Sequence, residues 1–186
     1  MKCSLIITTY NRPEALELVL LSVERQTVLP EEVIIADDGS DDKTQAVINN
    51  FQSNKILNIQ HSWQEDKGFR AAKSRNKALS ISTQEYIVLI DGDMVLHTHF
   101  IEDHLKHAQK GFVIQGKRSL LTKKRTSSAI KNQTTLFSFL DNGLQNHKNS
   151  LYSNFLSRLF ASKKTHLKGI KTCNMSFFRS DCISVN

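Results

Sequence analysis

Asp91-Gly92-Asp93 follows directly on the apolar run Tyr86-Ile87-Val88-Leu89-Ile90. Carboxylates this close repel one another when ionised, and a shared divalent cation is the natural way to keep both charged. Oxygen ligands beside a phosphate-bearing substrate suit Mn2+ or Mg2+. The alternative for this turn on its own is a plain polar link from strand to loop. Two more polar clusters stand in the same relation to apolar runs: Thr8-Thr9-Tyr10-Asn11 and Asp37-Asp38-Gly39-Ser40. If the three runs are parallel strands of one sheet, the clusters converge at its carboxyl edge, where open α/β sheets bind ligands. Asp41 and Asp42 read as helix caps. Asp37 and Asp38 together exceed what capping requires, which assigns a ligand role to at least one of them.

The intervening sequence supplies the elements that would place these clusters. Lys2 to Thr8 reads as a buried strand, and Pro13 suits the first position of a helix because its missing N–H costs nothing there. Leu16, Val19, Leu20 and Val23 then recur at helical spacing. Glu32 to Ala36 is a second strand, followed by a helix capped near Ser40 or Asp41 with Ala46, Val47 and Phe51 on its apolar face. A short strand is expected around Ile56 to His61, a helix from Gly68 through Leu79, a fourth strand at Tyr86 to Ile90, and a further one at Phe112 to Gln115. Alternation of strands and helices over residues 2 to 116 implies a mainly parallel α/β sheet with helices on both faces and right-handed crossovers. Residues 117 to 166 lack such a pattern; Leu136 to Leu140 and Leu151 to Phe160 are the helical candidates there, and Lys171 to Phe178 restores a strand.

The chain has 186 residues, 39% hydrophobic and 23% charged, which fits a single globular domain rather than a disordered segment. Its apolar runs are strand-sized, far short of the roughly 20 residues that span a bilayer. Cys3, Cys173 and Cys182 form no CxxC pair and read as reduced thiols in a cytoplasmic protein without a zinc site. The net charge is +7, with the excess late in the chain at Lys117-Arg118, Lys123-Lys124-Arg125, Lys163-Lys164, Lys168 and Lys171. Such a face could serve nucleic acid, anionic lipid headgroups or a phosphorylated substrate, or be merely solvated. Lys67, Arg70 and Lys73 are read as solvent-exposed or as added positive potential. His97, His99, His104 and His107 lack ligand spacing and read as residues of an exposed helix. Leu136, Phe137, Phe139, Leu140 and the pair Phe177-Phe178 read as packing surface.

The ordered set Ile6-Ile7-Thr8-Thr9-Tyr10-Asn11-Arg12, Ala36-Asp37-Asp38-Gly39-Ser40, Gly68-Phe69-Arg70-Ala71-Ala72-Lys73-Ser74-Arg75-Asn76 and Asp91-Gly92-Asp93 resembles the signature series of family 2 glycosyltransferases. The later segment Gly169 to Phe177 is similar to the family's strand near the acceptor pocket. The resemblance implies a GT-A fold, the Rossmann-like fold of nucleotide-diphospho-sugar transferases. It implies a nucleotide-sugar half over 1–116 and an incomplete acceptor-side half over 117–186 of one domain. Thr8, Tyr10, Asn11 and Arg12 would then line the nucleotide, with Asp38 accepting a hydrogen bond from the base, typically uracil. Arg75 would face the nucleotide or its phosphates, and Asp91 and Gly92 the ribose. Asp93, with Asp91, would hold Mn2+ or Mg2+ on the diphosphate, and Asn174 would lie on the acceptor side.

The resemblance further implies inverting transfer from a UDP-sugar to a hydroxyl of a glycan or lipid-linked glycan, in lipopolysaccharide or surface-polysaccharide assembly. The expected location is cytoplasmic, peripheral at the inner face of the cell membrane, with no nucleic acid as partner. Inverting members need a carboxylate base, yet after Asp93 only Glu102, Asp103, Asp141 and Asp181 are acidic, none in a Glu-Asp pair. The histidine that often completes the metal site is also missing, so the base is expected beyond Asn186 in a longer protein. Two rivals fit fewer residues. A haloacid-dehalogenase-like phosphatase would use Asp91 as nucleophile with Asp93, but its motif belongs behind a first strand. A non-catalytic basic binding module explains the charge and not the strand ends.

Overall fold

The computed structural model describes residues 1–150 and 170–184. In chain order the strands are β1 (Cys3–Thr9), β2 (Glu32–Asp37), β3 (Ile59–Trp63), β4 (Tyr86–Asp91), β5 (Ile114–Gln115), β6 (Leu120–Leu121), β7 (Leu144–Gln145) and β8 (Asn174–Phe178). The helices are α1 (Pro13–Glu24), α2 (Asp42–Asn54), α3 (Ala71–Ile81), α4 (Phe100–His107) and α5 (Lys123–Lys131), with a 3-10 turn at His147–Asn149 and a short helix at Arg179–Ile183. Six strands form one sheet in the order β3-β2-β1-β4-β8-β5, and β6 pairs with β7 separately.

The first four strands are parallel. Every residue of β1 and β2 is buried, as the unbroken apolar runs demand of strands covered on both faces. One face carries Leu5, Ile7, Val33, Ile35, Val88 and Ile90 against Leu16, Val19, Leu20 and Val23 of α1, Ile48 and Phe51 of α2, and Ile101 of α4. The other presents Ile6, Ile34, Ala36, Ile87 and Leu89 to Ala78 and Leu79 of α3. Pro13 opens α1 as expected. Asp41 caps α2 by accepting from the backbone N–H groups of Lys43 and Thr44.

Several expectations shift. On α2 the buried positions are Thr44, Ile48 and Phe51, spaced i, i+4, i+7, whereas Ala46 is exposed. The helix expected from Gly68 begins at Ala71; Gly68 itself has φ +82°, outside any helix. The strand at Phe112 to Gln115 shrinks to two residues. Leu136 to Leu140 is not helical, while α5, capped by Thr122, lies in a stretch read as irregular. Its heptad-poor sequence has one buried residue, Ala129, so periodicity could not reveal it. The helical candidate at Leu151 to Phe160 and the cations Lys163, Lys164 and Lys168 lie outside the described residues.

β8 enters antiparallel to β4, with Tyr86 opposite Phe178 and Ile90 opposite Asn174. A buried polar network fixes that pairing. The Tyr86 hydroxyl lies 2.7 Å from Ser176 Oγ, which is 2.7 Å from His104 Nδ1, and His104 Nε2 is 3.0 Å from Asn174 Oδ1. His104 is therefore a buried structural residue rather than part of an exposed histidine helix. Burial pushes its imidazole down to about 4, only partly countered by Asn174.

The folded state thus refuses a proton that the unfolded chain accepts near pH 6.5. Stability from a neutral His104 is complete above pH 6.5 and is lost as pH falls toward 4. A change of this size is worth on the order of 3 kcal/mol. Urea unfolding followed from pH 7 to 4.5 should show this loss, and His104→Gln, which keeps a hydrogen-bonding side chain but cannot titrate, should flatten the slope.

Candidate functional site

Parallel pairing sets the three polar clusters level with one another. Thr9 stands opposite Asp37, and Thr8 opposite Asp91. Between them opens a cleft of about 290 Å³ at the carboxyl edge. Thr8, Tyr10, Arg12, Asp38, Arg75, Asp91, Gly92 and Asp93 all line it, as does Phe69 from the loop before α3. A larger hollow of about 570 Å³ at the opposite edge is lined by Leu29, Pro30, Ile56 and Leu57, with Glu31 and Lys55 its only ionisable groups. Gln52 and Asn58, also on its wall, donate their amides to the Ile59 and Glu31 carbonyls, so it lacks the cleft's convergence of carboxylates and arginines.

Arg75 projects from α3 across the strand ends. Its Nε donates to Thr8 Oγ1 at 2.9 Å and its Nη2 to Asp91 Oδ1 at 3.1 Å. Arg12 Nη1 meets Asp93 Oδ2 at 3.0 Å, with both side chains well exposed, so this pair exchanges readily for other partners. Thr9 Oγ1, on the cleft wall, is buried with no hydrogen-bond partner among the described residues.

The two carboxylates behind β2 have separate jobs. Asp37 turns away from the cleft: its Oδ1 accepts from the N–H groups of Gly39 and Ser40, and its Oδ2 meets His61 Nε2 at 2.9 Å. Burial alone would raise this carboxyl, but the bonds from His61 and Ser40 outweigh it and leave it below its ordinary value. Asp38 faces the cleft at the start of α3, where the helix dipole favours an anion. It accepts from Gln64 Nε2 at 2.5 Å and from the Arg70 N–H at 2.7 Å.

The loop from Gln64 to Arg70 is thereby clamped over the cleft. Tyr10 donates its hydroxyl to Asp66 at 2.8 Å, a contact that pushes the phenol up. Gly39, at φ +102°, lets Asp66 approach so closely that a Cβ there would lie 2.6 Å from the Asp66 Cα. Gly92 allows a similar approach to the Thr8 carbonyl.

Two sequence candidates stand apart from the cleft lining. Asn11, at φ +48°, uses its side-chain oxygen to accept from the Asp41 N–H, holding the loop before α2. Asn174 is buried, with its amide oxygen on His104 and its amide nitrogen donating to the Lys117 carbonyl at 3.1 Å. Conversely, sequence reading gave Thr9 and Phe69 no role of their own within the motifs it quoted, and it missed Gln64 and Asp66. Gly68 beside Phe69 was the available signal, since a glycine supplies the positive φ that a sharp loop bend requires.

The model of glycosyl transferase family 2 matches residues 4–181. The chain belongs to that family. This family 2 chain is 34% identical over 103 residues to a hyaluronan synthase from Pasteurella multocida, an alignment covering 55% of this chain and 10% of the relative. It is 33% identical over 127 residues to the Escherichia coli UDP-Glc:alpha-D-GlcNAc-diphosphoundecaprenol beta-1,3-glucosyltransferase WfaP, covering 61% and 49% of the two chains. Staphylococcus aureus TarS 1–349 in complex with UDP-GlcNAc superposes with a TM-score of 0.52 at 28% identity, over 57% of this chain and 30% of TarS. The chain thus matches between a tenth and about half the length of these proteins. Its fold is the GT-A fold expected from the sequence. The family match lends no support to the phosphatase or the binding-module alternative. No helix among the described residues is long and apolar enough to cross a membrane.

The residues present fit a cation of one kind. Among the described residues no three metal-ligating side chains converge, so an all-protein cage is not available. Asp91 and Asp93 match the mode in which Mg2+ or Mn2+ takes one or two carboxylates and completes its shell with substrate phosphates. Titration with Mn2+ alone should therefore produce no saturable heat, whereas saturable Mn2+ binding should emerge once UDP is present. Gly39→Ala should destabilise the fold by on the order of 2 kcal/mol and weaken nucleotide binding, readable together in a thermal-shift titration.

Proposed function

We propose that this chain binds a UDP-sugar and belongs to an enzyme that transfers the sugar, with inversion, to a hydroxyl of a glycan or lipid-linked glycan. One observation carries the reading: Thr8, Tyr10, Arg12, Asp38, Arg75, Asp91, Gly92 and Asp93 share one cleft at the carboxyl edge. Residues 1–116 form the donor half in this reading, and 117–186 belong to the acceptor side. Assembly of lipopolysaccharide or another surface polysaccharide at the inner face of the membrane is the proposed setting. The naming of WfaP for a diphosphoundecaprenol-linked acceptor supports it.

Each residue has a role that its position supports. Asp38 offers carboxylate oxygens, which favour a base bearing an imino N–H, as uracil does. The UDP-GlcNAc bound to TarS and the UDP-Glc in the name of WfaP favour the same nucleotide. Thr8 and Tyr10 flank the nucleoside, and Asp91 the ribose. Mn2+ or Mg2+ held by Asp93 and Asp91 would neutralise charge on the diphosphate. Arg75 and Arg12 supply fixed and mobile positive charge to the same group as it departs.

In the transfer, the acceptor oxygen forms a bond to the anomeric carbon from the face opposite the diphosphate. The bond to the diphosphate oxygen breaks, and its electron pair leaves with UDP. The acceptor proton needs a base, and the cleft carboxylates do not supply it. In this reading all three are committed to the donor, Asp38 to the base and Asp91 and Asp93 to the cation on its diphosphate.

Calorimetric titration with UDP and Mn2+ tests the reading. Asp93→Ala should abolish the metal-dependent part. Arg75→Ala should remove a charge-assisted contact worth about 1.5–3 kcal/mol, about ten- to a hundredfold in Kd. Absence of binding to any nucleoside diphosphate, in a protein whose thermal unfolding is cooperative, would overturn the proposal.

A further inference from the structure

The carboxyl edge of the sheet continues past the cleft. β4 and β5 both run antiparallel to β8, so their carboxyl ends meet the same edge. The register carries straight across. Ile90 stands opposite Asn174, and the Gly116 N–H donates to the Asn174 carbonyl at 3.1 Å. Gly116 is thus level with Ile90, and Lys117 with Asp91, two strand spacings or about 10 Å away. That is the scale of one hexose ring with its substituent.

The backbone there is held firmly. Beyond the Gly116 bond, Asn174 Nδ2 donates to the Lys117 carbonyl at 3.1 Å and Asn149 Nδ2 to the Arg118 carbonyl at 2.9 Å. Asn174 is itself anchored by buried His104. A Cβ at Gly116 would lie 2.3 Å from the Asn174 amide nitrogen, so only glycine permits this contact. The side chains of Lys117 and Arg118 are exposed, and among the described residues neither pairs with a carboxylate. Two unneutralised cations on a pinned backbone, one sugar's width from the donor carboxylates, suit a second anion. In the donor-site reading the diphosphate already has Arg12, Arg75 and the cation that Asp91 and Asp93 would hold.

We infer that Gly116-Lys117-Arg118 receives a phosphate carried by the acceptor, so that the acceptor class is a glycosyl phosphate or diphosphate rather than a neutral glycan. The inference rests on the donor-site reading above, which fixes where transfer takes place. A phosphate ester could also be presented by an anionic lipid headgroup, and the test separates the two sources.

The test is a calorimetric comparison of N-acetylglucosamine 1-phosphate with N-acetylglucosamine on the full chain, with and without UDP and Mn2+. The phosphate should improve affinity about tenfold, and the gain should shrink as salt is added. The double substitution Lys117→Ala, Arg118→Ala should erase the gain while leaving UDP affinity and Tm unchanged, and Lys117→Arg should retain it. Equal affinity for the two sugars, or a preference that survives the double substitution, overturns the inference. So does co-sedimentation with phosphatidylglycerol vesicles that depends on Lys117 and Arg118 while the sugar phosphate gains nothing. Failure of UDP to bind, with the phosphate preference intact and dependent on these two cations, sinks the donor reading and supports the subsite.

Discussion

Parallel pairing of β1 with β2 on one side and β4 on the other is the constraint from which the site follows. The crossovers through α1, α2 and α3 return each strand in the same direction, so each strand end arrives at one edge. The register then leaves little freedom: Thr8 is level with Asp91 and Thr9 with Asp37. Once α3 packs on the face formed by Ile6, Ile34 and Ile87, Arg75 is delivered across the strand ends to Thr8 and Asp91. The arginine needs no long-range search for its partners, because the sheet has already put them side by side.

Buried and half-buried carboxylates divide by how the protein satisfies them. Glu32, at the amino edge, accepts from Ser4, Gln60 and both the N–H and hydroxyl of Thr83. Those bonds hold it below its ordinary value although burial pushes the other way. Asp37 is saturated in the same manner by Gly39, Ser40 and His61. A buried charge tolerates nothing less. At the opposite edge Asp91 and Asp93 each meet, among the described residues, one arginine at the rim of an open cleft. The first kind of carboxylate builds the sheet and its turns. The second keeps acceptor capacity for a ligand.

The fold beyond β4 adds a neutral polar network to the apolar packing of Ile101, Phe177 and Phe178. Tyr86, Ser176, His104 and Asn174 join β4, α4 and β8 through hydrogen bonds in a dry interior, where each bond is stronger and each lost partner costlier than in water. The same Asn174 ties down the segment after β5. The geometry of the late cationic residues thus depends on a histidine that must stay uncharged.

Much of this was legible from residue order alone. Apolar runs ended by Thr8-Thr9, Asp37-Asp38 and Asp91-Gly92-Asp93 specify strands with polar carboxyl ends, because a strand buried on both faces cannot hide a carboxylate except where it stops. The helix α1 announced itself by periodicity, and Asp41 as a cap by its chemistry. Other features needed the folded chain. That Asp37 serves the turn while Asp38 faces the cleft depends on which side chain the pleat and the loop from Gln64 to Arg70 present. That Asn11 and Asn174 spend their amides on backbone and on His104 depends on partners 30 and 70 residues away. The place of β8 between β4 and β5 is equally non-local, since two-residue β5 carries almost no pattern of its own. Local chemistry determined what the strand ends could do, because side-chain type and strand period are properties of neighbouring residues. Tertiary structure alone decided which of those groups remain available, because a hydrogen bond between distant residues consumes capacity that the sequence cannot reveal as spent.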